Sequence, residues 1–455
     1  MDLEGLLRSA EGKQLEFKRD LSSPRNVLRT LVAFANTAGG TLLIGVTDKS
    51  RNVIGVDDPL AAEQALANLI SDSIAPNLVP EIEILPWRRS HVVGVEVYPS
   101  STRPHYVRRL GPQDGVYVRV GSTNRRADAD LVAELGRVVR NQSFDEEVLP
   151  RLPPEAVDFE AARAEFSGVR KLRRPDLRTL RLVADHQGKD APTVGGILLF
   201  GRTAEREKHF PDAWVQVGRF DGADKRRIVD SAEVRERPSA SVDAAMSFVQ
   251  RHIERSVAIG DVRHEIRWAL PLPAIREAVI NSLVHADYSQ RGAPIRIALF
   301  DDRLEIENPG LLPFGLTIED IRRGVSRLRN RVIGRVFYEL GLVEQWGSGI
   351  QRMIAACRDA QLDPPDLEEV GTRFRVTIWR EPKSTPGLDE VSQRIVDLLG
   401  SGDGSSTKAL ADDLKLSPRA VRTRLASLVE HGLVVEIGSG PNDPNRRYYR
   451  SDRRS

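Results

Sequence analysis

Glu277, Asn281 and His285, in the segment EAVINSLVHADYS, recur every four residues and on a helix would line one face. Ile275, Val279 and Leu283 form the opposite stripe, which a core would take. Taken alone, the polar face is equally well explained by solvation, and the residues downstream of it tilt the balance. Ile295, Ile297 and Leu299 alternate on one strand, Asp301-Asp302 turn the chain, and Leu304 and Ile306 alternate on the return to Glu307-Asn-Pro-Gly310. A second glycine loop, Trp346-Gly-Ser-Gly349, then opens another helix. A helix bearing Glu and Asn, a hairpin and two glycine loops point to a nucleotide site, because glycine backbones and helix starts can approach phosphate oxygens closely.

These residues need elements to hold them. Near the start of the chain, Val27, Leu28, Leu31 and Ala35 mark a helix from Arg25 to Asn36, broken by Gly39-Gly40 before the apolar strand TLLIGV. Ile82–Leu85, Val92–Val97 and Val116–Val120 read as further strands. The longest apolar runs, Thr41–Val46 and Gly196–Phe200, have strand lengths, and none approaches the length of a membrane span. Residues 131–190 read as a connector with short helices, one around Ala162; a second α/β region starts near Thr193 and ends with FRVTIWR; Pro382–Gly387 reads as a linker.

Beyond it, Ile395, Leu398 and Leu399, then Leu410 and Leu414, then Val421, Leu425, Leu428 and Val429 mark three short helices. Ser417 suits an N-cap, Pro418 the first helical position, and Gly432 the C-terminal end. Leu433–Ile437 and Arg447–Arg450 would form a hairpin around Gly438 to Pro444. This stretch resembles a winged helix-turn-helix, which implies that the third helix presents Arg419, Arg422 and Thr423 to a DNA groove while Arg446 and Arg447 reach phosphates. The alternative is a winged helix used for protein contacts.

The middle region resembles the GHKL ATPases. More closely it resembles the ATPase-like domain, often labelled helicase-related, of prokaryotic transcriptional regulators, through PTVGGILLFG, REAVINSLVHADYS, DDRLEIENPG, Arg329-Asn330 and GLVEQWGSGIQRM in order. The resemblance implies that ATP and Mg²⁺ bind here, with Asn281 on the metal, Glu277 on an attacking water, Gly347 and Gly349 at the phosphates, and Asn308 and Gly310 on the adenine side. The wider pattern places an aspartate where Asn308 stands. No G-x-x-x-x-G-K-[ST] loop occurs, so a helicase motor is rejected.

The first 130 residues resemble the AlbA-type domain of the Schlafen family through Glu11, Gln14-Leu-Glu-Phe-Lys18, Ala33-Phe-Ala-Asn-Thr-Ala-Gly-Gly40, Leu43-Ile-Gly-Val46 and Tyr117-Val-Arg-Val-Gly-Ser122. Membership implies nucleic-acid binding. Some members cut RNA with a carboxylate cluster, for which Glu11, Glu16, Lys18 and Asp48 are the candidates here. The plain alternative has Glu16 and Lys18 flanking a buried Phe17.

Composition sets the frame. A chain of 455 residues with 40% hydrophobic and 29% charged residues is globular and multi-domain, and its net charge of +2 says little about partners. Arginine is nevertheless clustered at 108–109, 119–126, 170–181, 322–335 and 446–454. One cysteine, Cys357, and the lack of a secretory signal or membrane span fit the cytoplasm. The expected organisation is a mixed α/β chain: an AlbA-type domain over 1–130, the connector over 131–190, a GHKL-like ATP-binding domain over 191–381 and a winged helix over 388–455. The expected function is transcription regulation, in which nucleotide tunes DNA binding by the flanking domains. The alternative is a Schlafen-like, metal-dependent RNA endonuclease gated by the ATPase-like domain. A third reading makes that domain an oligomerisation scaffold without nucleotide. Hydrolysis, and a homodimer on paired DNA half-sites, stay open.

Overall fold

The computed structural model describes residues 1–48, 51–253, 255–259, 264–344, 347–381, 388–401, 404–439 and 443–451. The linker Pro382–Gly387, Trp346 of the second glycine loop, the middle of the wing loop (440–442) and the end of the 446–454 arginine cluster lie outside them. The chain divides into two compact units, Met1–Leu135 with Ser384–Ser455, and Gly136–Lys383.

In the first unit, Leu15–Lys18 and Gly40–Ile44 pair in parallel, joined by the helix Pro24–Asn36; Ser90–Val97 and Glu81–Trp87 extend the sheet antiparallel. Parallel neighbours need a crossover, and the apolar stripe of this helix supplies it by burying Val27, Leu31 and Phe34 against Leu42 and Val95. Gly39 makes the tight exit turn at φ 75°, where a Cβ would stand 2.6 Å from the Val97 carbonyl oxygen. Asn36, fully buried, donates to the carbonyls of His105 (2.8 Å) and Tyr117 (2.9 Å) and accepts from the His105 amide (2.7 Å), tying the helix end to the strand Tyr117–Val120.

The C-terminal segment forms helices Glu390–Leu398, Thr407–Leu414 and Pro418–Glu430 and the hairpin Val434–Ile437 with Arg447–Arg450. Ser417 Oγ accepts from the Ala420 amide at 3.2 Å, Pro418 opens the third helix, and Gly432 turns at φ 71°, so the capping signals act where the sequence placed them. The hairpin is not free. Val435, Ile437 and Tyr449 share one hydrophobic cluster with Leu3, Leu7, Phe17 and Val53 of the AlbA-type domain. At the hairpin's tip the Val53 amide donates to the Gly438 carbonyl at 3.0 Å, and Arg88 donates to Asp443 at 2.6 Å and to the Asn445 carbonyl at 2.8 Å.

The second unit is built on a six-stranded mixed sheet in the order Ile228–Val234, Val215–Phe220, Ile295–Leu299, Arg303–Pro309, Arg373–Trp379, Asp366–Val370. The helix Leu272–His285 packs on this sheet and against helices Pro238–His252 and Gly349–Asp359, burying Ile275, Val279 and Leu283 as its apolar stripe requires. Phe166, Leu172 and Leu180 from the 131–190 segment enter the same core. The apolar run before residue 201 departs from expectation: Val194–Phe200 is a helix, not a strand. Every residue in it is buried, so the run carries no amphipathic period to read, and Thr193 caps it by accepting from the Gly196 amide at 3.0 Å.

Candidate nucleotide pocket and nucleic-acid surfaces

The helix Leu272–His285, the strand Arg303–Pro309 and the start of the helix Gly349–Asp359 enclose a cavity of about 200 Å³. Glu277, Asn281, His285, Asn308, Gly347 and Gly349 all line it. Strand alternation explains part of this set: Ile306 and Asn308 face the cavity, while Glu305 and Glu307 are turned to Arg303, Arg375 and Lys225, with Arg375 donating to Glu307 at 2.7 Å. Gly310 stands behind the wall at φ 98°, where a Cβ would meet Asp287 Cβ at 2.9 Å and the Arg329 guanidinium carbon at 3.1 Å.

The polar groups are held in definite orientations. Asn281 Nδ2 donates to Glu277 Oε1 at 3.3 Å, which turns its carbonyl oxygen elsewhere as an acceptor. Asn308 Nδ2 donates to the Pro309 carbonyl at 3.0 Å and to that of His285 at 3.4 Å, so its oxygen is likewise the free end. Burial, helped by the Arg329 guanidinium, lowers His285 to about 4, leaving a neutral imidazole at physiological pH. Gly347 turns at φ 67°, and a Cβ there would meet Ser326 Cβ at 2.7 Å. Leu311, Leu312, Leu316, Phe374 and Val376 provide the apolar wall.

Two residues of this site escaped the sequence reading. Arg352 lies one helical turn beyond Gly349; its Nη2 donates to Glu277 at 2.9 Å, and Nη1 pairs with Glu344. Both line the cavity. The available signal was positional, since Gly349 and Arg352 fall on one helix face.

The structure also gathers the AlbA-type candidates. Glu11 accepts from the Phe17 amide at 2.6 Å and is hydrogen-bonded to Asp48, and burial first, with that bond and the charge of Glu16 adding, raises it to about 7. Glu16 accepts from Lys18 and, at 2.6 Å, from Arg119. Among the described residues no group of three or more His, Cys, Asp or Glu side chains is arranged to hold a metal ion. Arg119 belongs to the 119–126 cluster but is fully buried, donating also to the carbonyls of Gly12 (2.9 Å) and Leu15 (3.2 Å) and to Asn124 (2.9 Å). In the second unit, Arg170 pairs with Glu339, Arg178 with Asp190, and Arg181 and Arg331 with Glu146. These arginines are thus engaged in ion pairs within their own unit.

On the winged helix, Arg419, Arg422 and Thr423 are exposed on one face of the helix Pro418–Glu430. Arg446 is partly buried against Glu436 at 2.8 Å, and the exposed Arg447 donates to the Gly404 carbonyl at 3.2 Å.

Comparison with known proteins agrees with these modules. Residues 11–128 match the Schlafen AlbA_2 family, residues 292–378 the family described as "Putative ATP-dependent DNA helicase recG C-terminal", and residues 388–435 the winged helix-turn-helix DNA-binding family. The chain is thus a mixed α/β protein built from a Schlafen-type AlbA domain, an ATPase-like domain and a winged helix, domain types of ATP-binding and DNA-binding proteins. The helix bearing Glu277, Asn281 and His285 precedes the matched ATPase-like segment. No curated protein matches the chain. Among solved structures it is similar to the DIP2311 protein from Corynebacterium diphtheriae, at 20% identity and a TM-score of 0.44 over 93% of this chain and 91% of that one. It is also similar to the N-terminal domain of a RecG-related protein from Nitrosomonas europaea, at 28% identity and a TM-score of 0.23 over 28% of this chain and 90% of that one. No helix among the described residues is long and apolar enough to cross a membrane.

Proposed function

We propose that the chain is a cytoplasmic transcriptional regulator whose DNA affinity is set by ATP and Mg²⁺ in the cavity of the ATPase-like domain. The observation that carries this reading is the convergence of Glu277, Asn281, Asn308, Gly347 and Gly349 on one cavity. The residues fit the group: the Asn281 oxygen is turned away from its own internal bond and can face a cation, two glycines admit close backbone approach to phosphate, and the Asn308 oxygen can accept an amino proton from a base. Bound there, Mg²⁺ would neutralise phosphate charge. Glu277 is the group that would orient or deprotonate a water if hydrolysis occurs, and neutral His285 would serve as a hydrogen-bonding wall residue. On this reading the AlbA-type domain and the winged helix, which share a hydrophobic cluster, respond to nucleotide as one body rather than as two. Arg419, Arg422 and Thr423 read the groove.

The test is DNA affinity by fluorescence anisotropy at fixed salt, with and without ATP and Mg²⁺. A severalfold change supports the reading, and a nucleotide-blind affinity counts against it.

The second reading, an RNA endonuclease, rests on the hydrogen bond between Glu11 and Asp48 with Glu16 and Lys18 beside it, although among the described residues these carboxylates do not form a metal-holding group. Its test is metal-dependent RNA cleavage lost in Glu11→Gln; cleavage unchanged by that substitution would remove it.

A further inference from the structure

Glu277 has an unusual set of neighbours for a base that is to act on water. Its Oε2 accepts from Arg352 at 2.9 Å, and its Oε1 accepts from Asn281 at 3.3 Å. The same Oε1 lies 2.1 Å from where a Cβ on residue 349 would stand, so only glycine lets the carboxylate settle against the start of the helix Gly349–Asp359. A guanidinium, an amide and a glycine backbone at a helix start are the partners a phosphate takes. Glu344, from the loop before that helix, holds the other side of the same guanidinium, and Ser348 Oγ accepts from Arg352 at 2.8 Å. Two carboxylates and one arginine thus line a cavity of about 200 Å³.

We propose that Arg352 is the phosphate ligand of this pocket, and that Glu277 and Glu344 hold its place until nucleotide phosphates exchange with them. The proposal rests on the nucleotide reading of this pocket and adds its regulation. Arg352 keeps an anionic partner throughout the exchange, which limits the desolvation cost of opening the pair. Glu277 is released from its guanidinium only when phosphate arrives, so the base is freed by the substrate that needs it. Glu277 is then a competitor of the ligand as well as its neighbour.

Competition gives a sign that a simple supporting role would not. Calorimetric titration of the full chain with ADP and Mg²⁺ avoids any turnover at a terminal phosphate. Glu277→Gln, which keeps shape and removes charge, is expected to bind ADP roughly tenfold more tightly, Arg352→Ala roughly tenfold more weakly, and the double variant to show no gain over Arg352→Ala. Arg352→Lys, which keeps the charge without the planar fork, should fall between wild type and Arg352→Ala. ADP binding that Glu277→Gln weakens or leaves unchanged, or that Arg352→Ala and Arg352→Lys both leave at the wild-type level, overturns the proposal while nucleotide binding itself stands. Absence of ADP and ATP binding in the wild type overturns both together.

Discussion

Arg119 Nη2 donates to Glu16 Oε2 at 2.6 Å from a side chain with no solvent exposure, while the Glu16 side chain is 11% exposed. This ion pair links the strand Leu15–Lys18 to the strand Tyr117–Val120, and Arg119 adds three further acceptors around it. Removing one partner leaves a buried charge and unpaired acceptors, so Arg119→Ala should cost about 3–5 kcal/mol of stability in urea unfolding. Glu16→Gln is for the same reason a poor probe of nuclease chemistry, because loss of cleavage would come with loss of stability. Glu11→Gln is the cleaner substitution.

Glu11 also predicts a pH dependence. Its folded pKa, about 7, lies above the ordinary 4.5, so between those values the folded state holds a proton that the unfolded chain releases. Stability contributed through this group is therefore present below about 4.5 and lost as pH rises through 7. Glu11→Gln removes that loss. Melting temperatures of the variant and the wild type should diverge in the variant's favour from pH 5 to pH 8, and a constant gap across that range would contradict the assignment.

Tyr449 is 6% exposed in a cluster that spans both ends of the sequence, with Arg8 over its ring at 4.3 Å. Truncation to alanine should cost about 3–5 kcal/mol. The informative readout is where the cost falls. Hydrogen exchange should accelerate in the strands Leu15–Lys18 and Gly40–Ile44 as well as in the wing, although these strands lie some four hundred residues away along the chain. Acceleration confined to the wing would mean that the two modules fold independently.

The helix Pro418–Glu430 exposes Arg419 and Arg422, whereas Arg446 is paired with Glu436. For DNA binding dominated by phosphate neutralisation, each lost contact lowers the slope of log affinity against log salt by about 0.9. Arg447→Ala, which removes an exposed guanidinium of the wing, should show that change, and Arg446→Ala, already paired with Glu436, a smaller one, whereas Arg419→Ala and Arg422→Ala, in the groove, should relax sequence preference instead.

The chain is legible where its signals are local. Capping residues Ser417, Pro418 and Gly432 and the alternation from Ile295 to Ile306 fix elements within a few residues, and all of them appear in the structure. The helix Val194–Phe200 reads as a strand in sequence because burial on all sides erases the period that separates helix from strand. The pocket face Glu277, Asn281, His285 comes from helical spacing, whereas Asn308 comes from the family resemblance, and the strand whose parity turns it inward runs on to Pro309, past the alternation legible to Ile306. Arg352 and Glu344 carry only a weak signal in sequence, the shared helix face of Gly349 and Arg352, because their meaning lies in a partner 75 residues distant and on an irregular loop. Arg119 was counted with its exposed neighbours because composition cannot distinguish a buried hub from a surface cation.

The central claim is that the cavity around Asn281 binds nucleotide. Isothermal titration of the full chain with ATP and Mg²⁺, beside Asn281→Ala, tests it directly. Saturable binding that the variant loses, with its fold intact by circular dichroism, is the predicted result, and no binding by the wild type would contradict it.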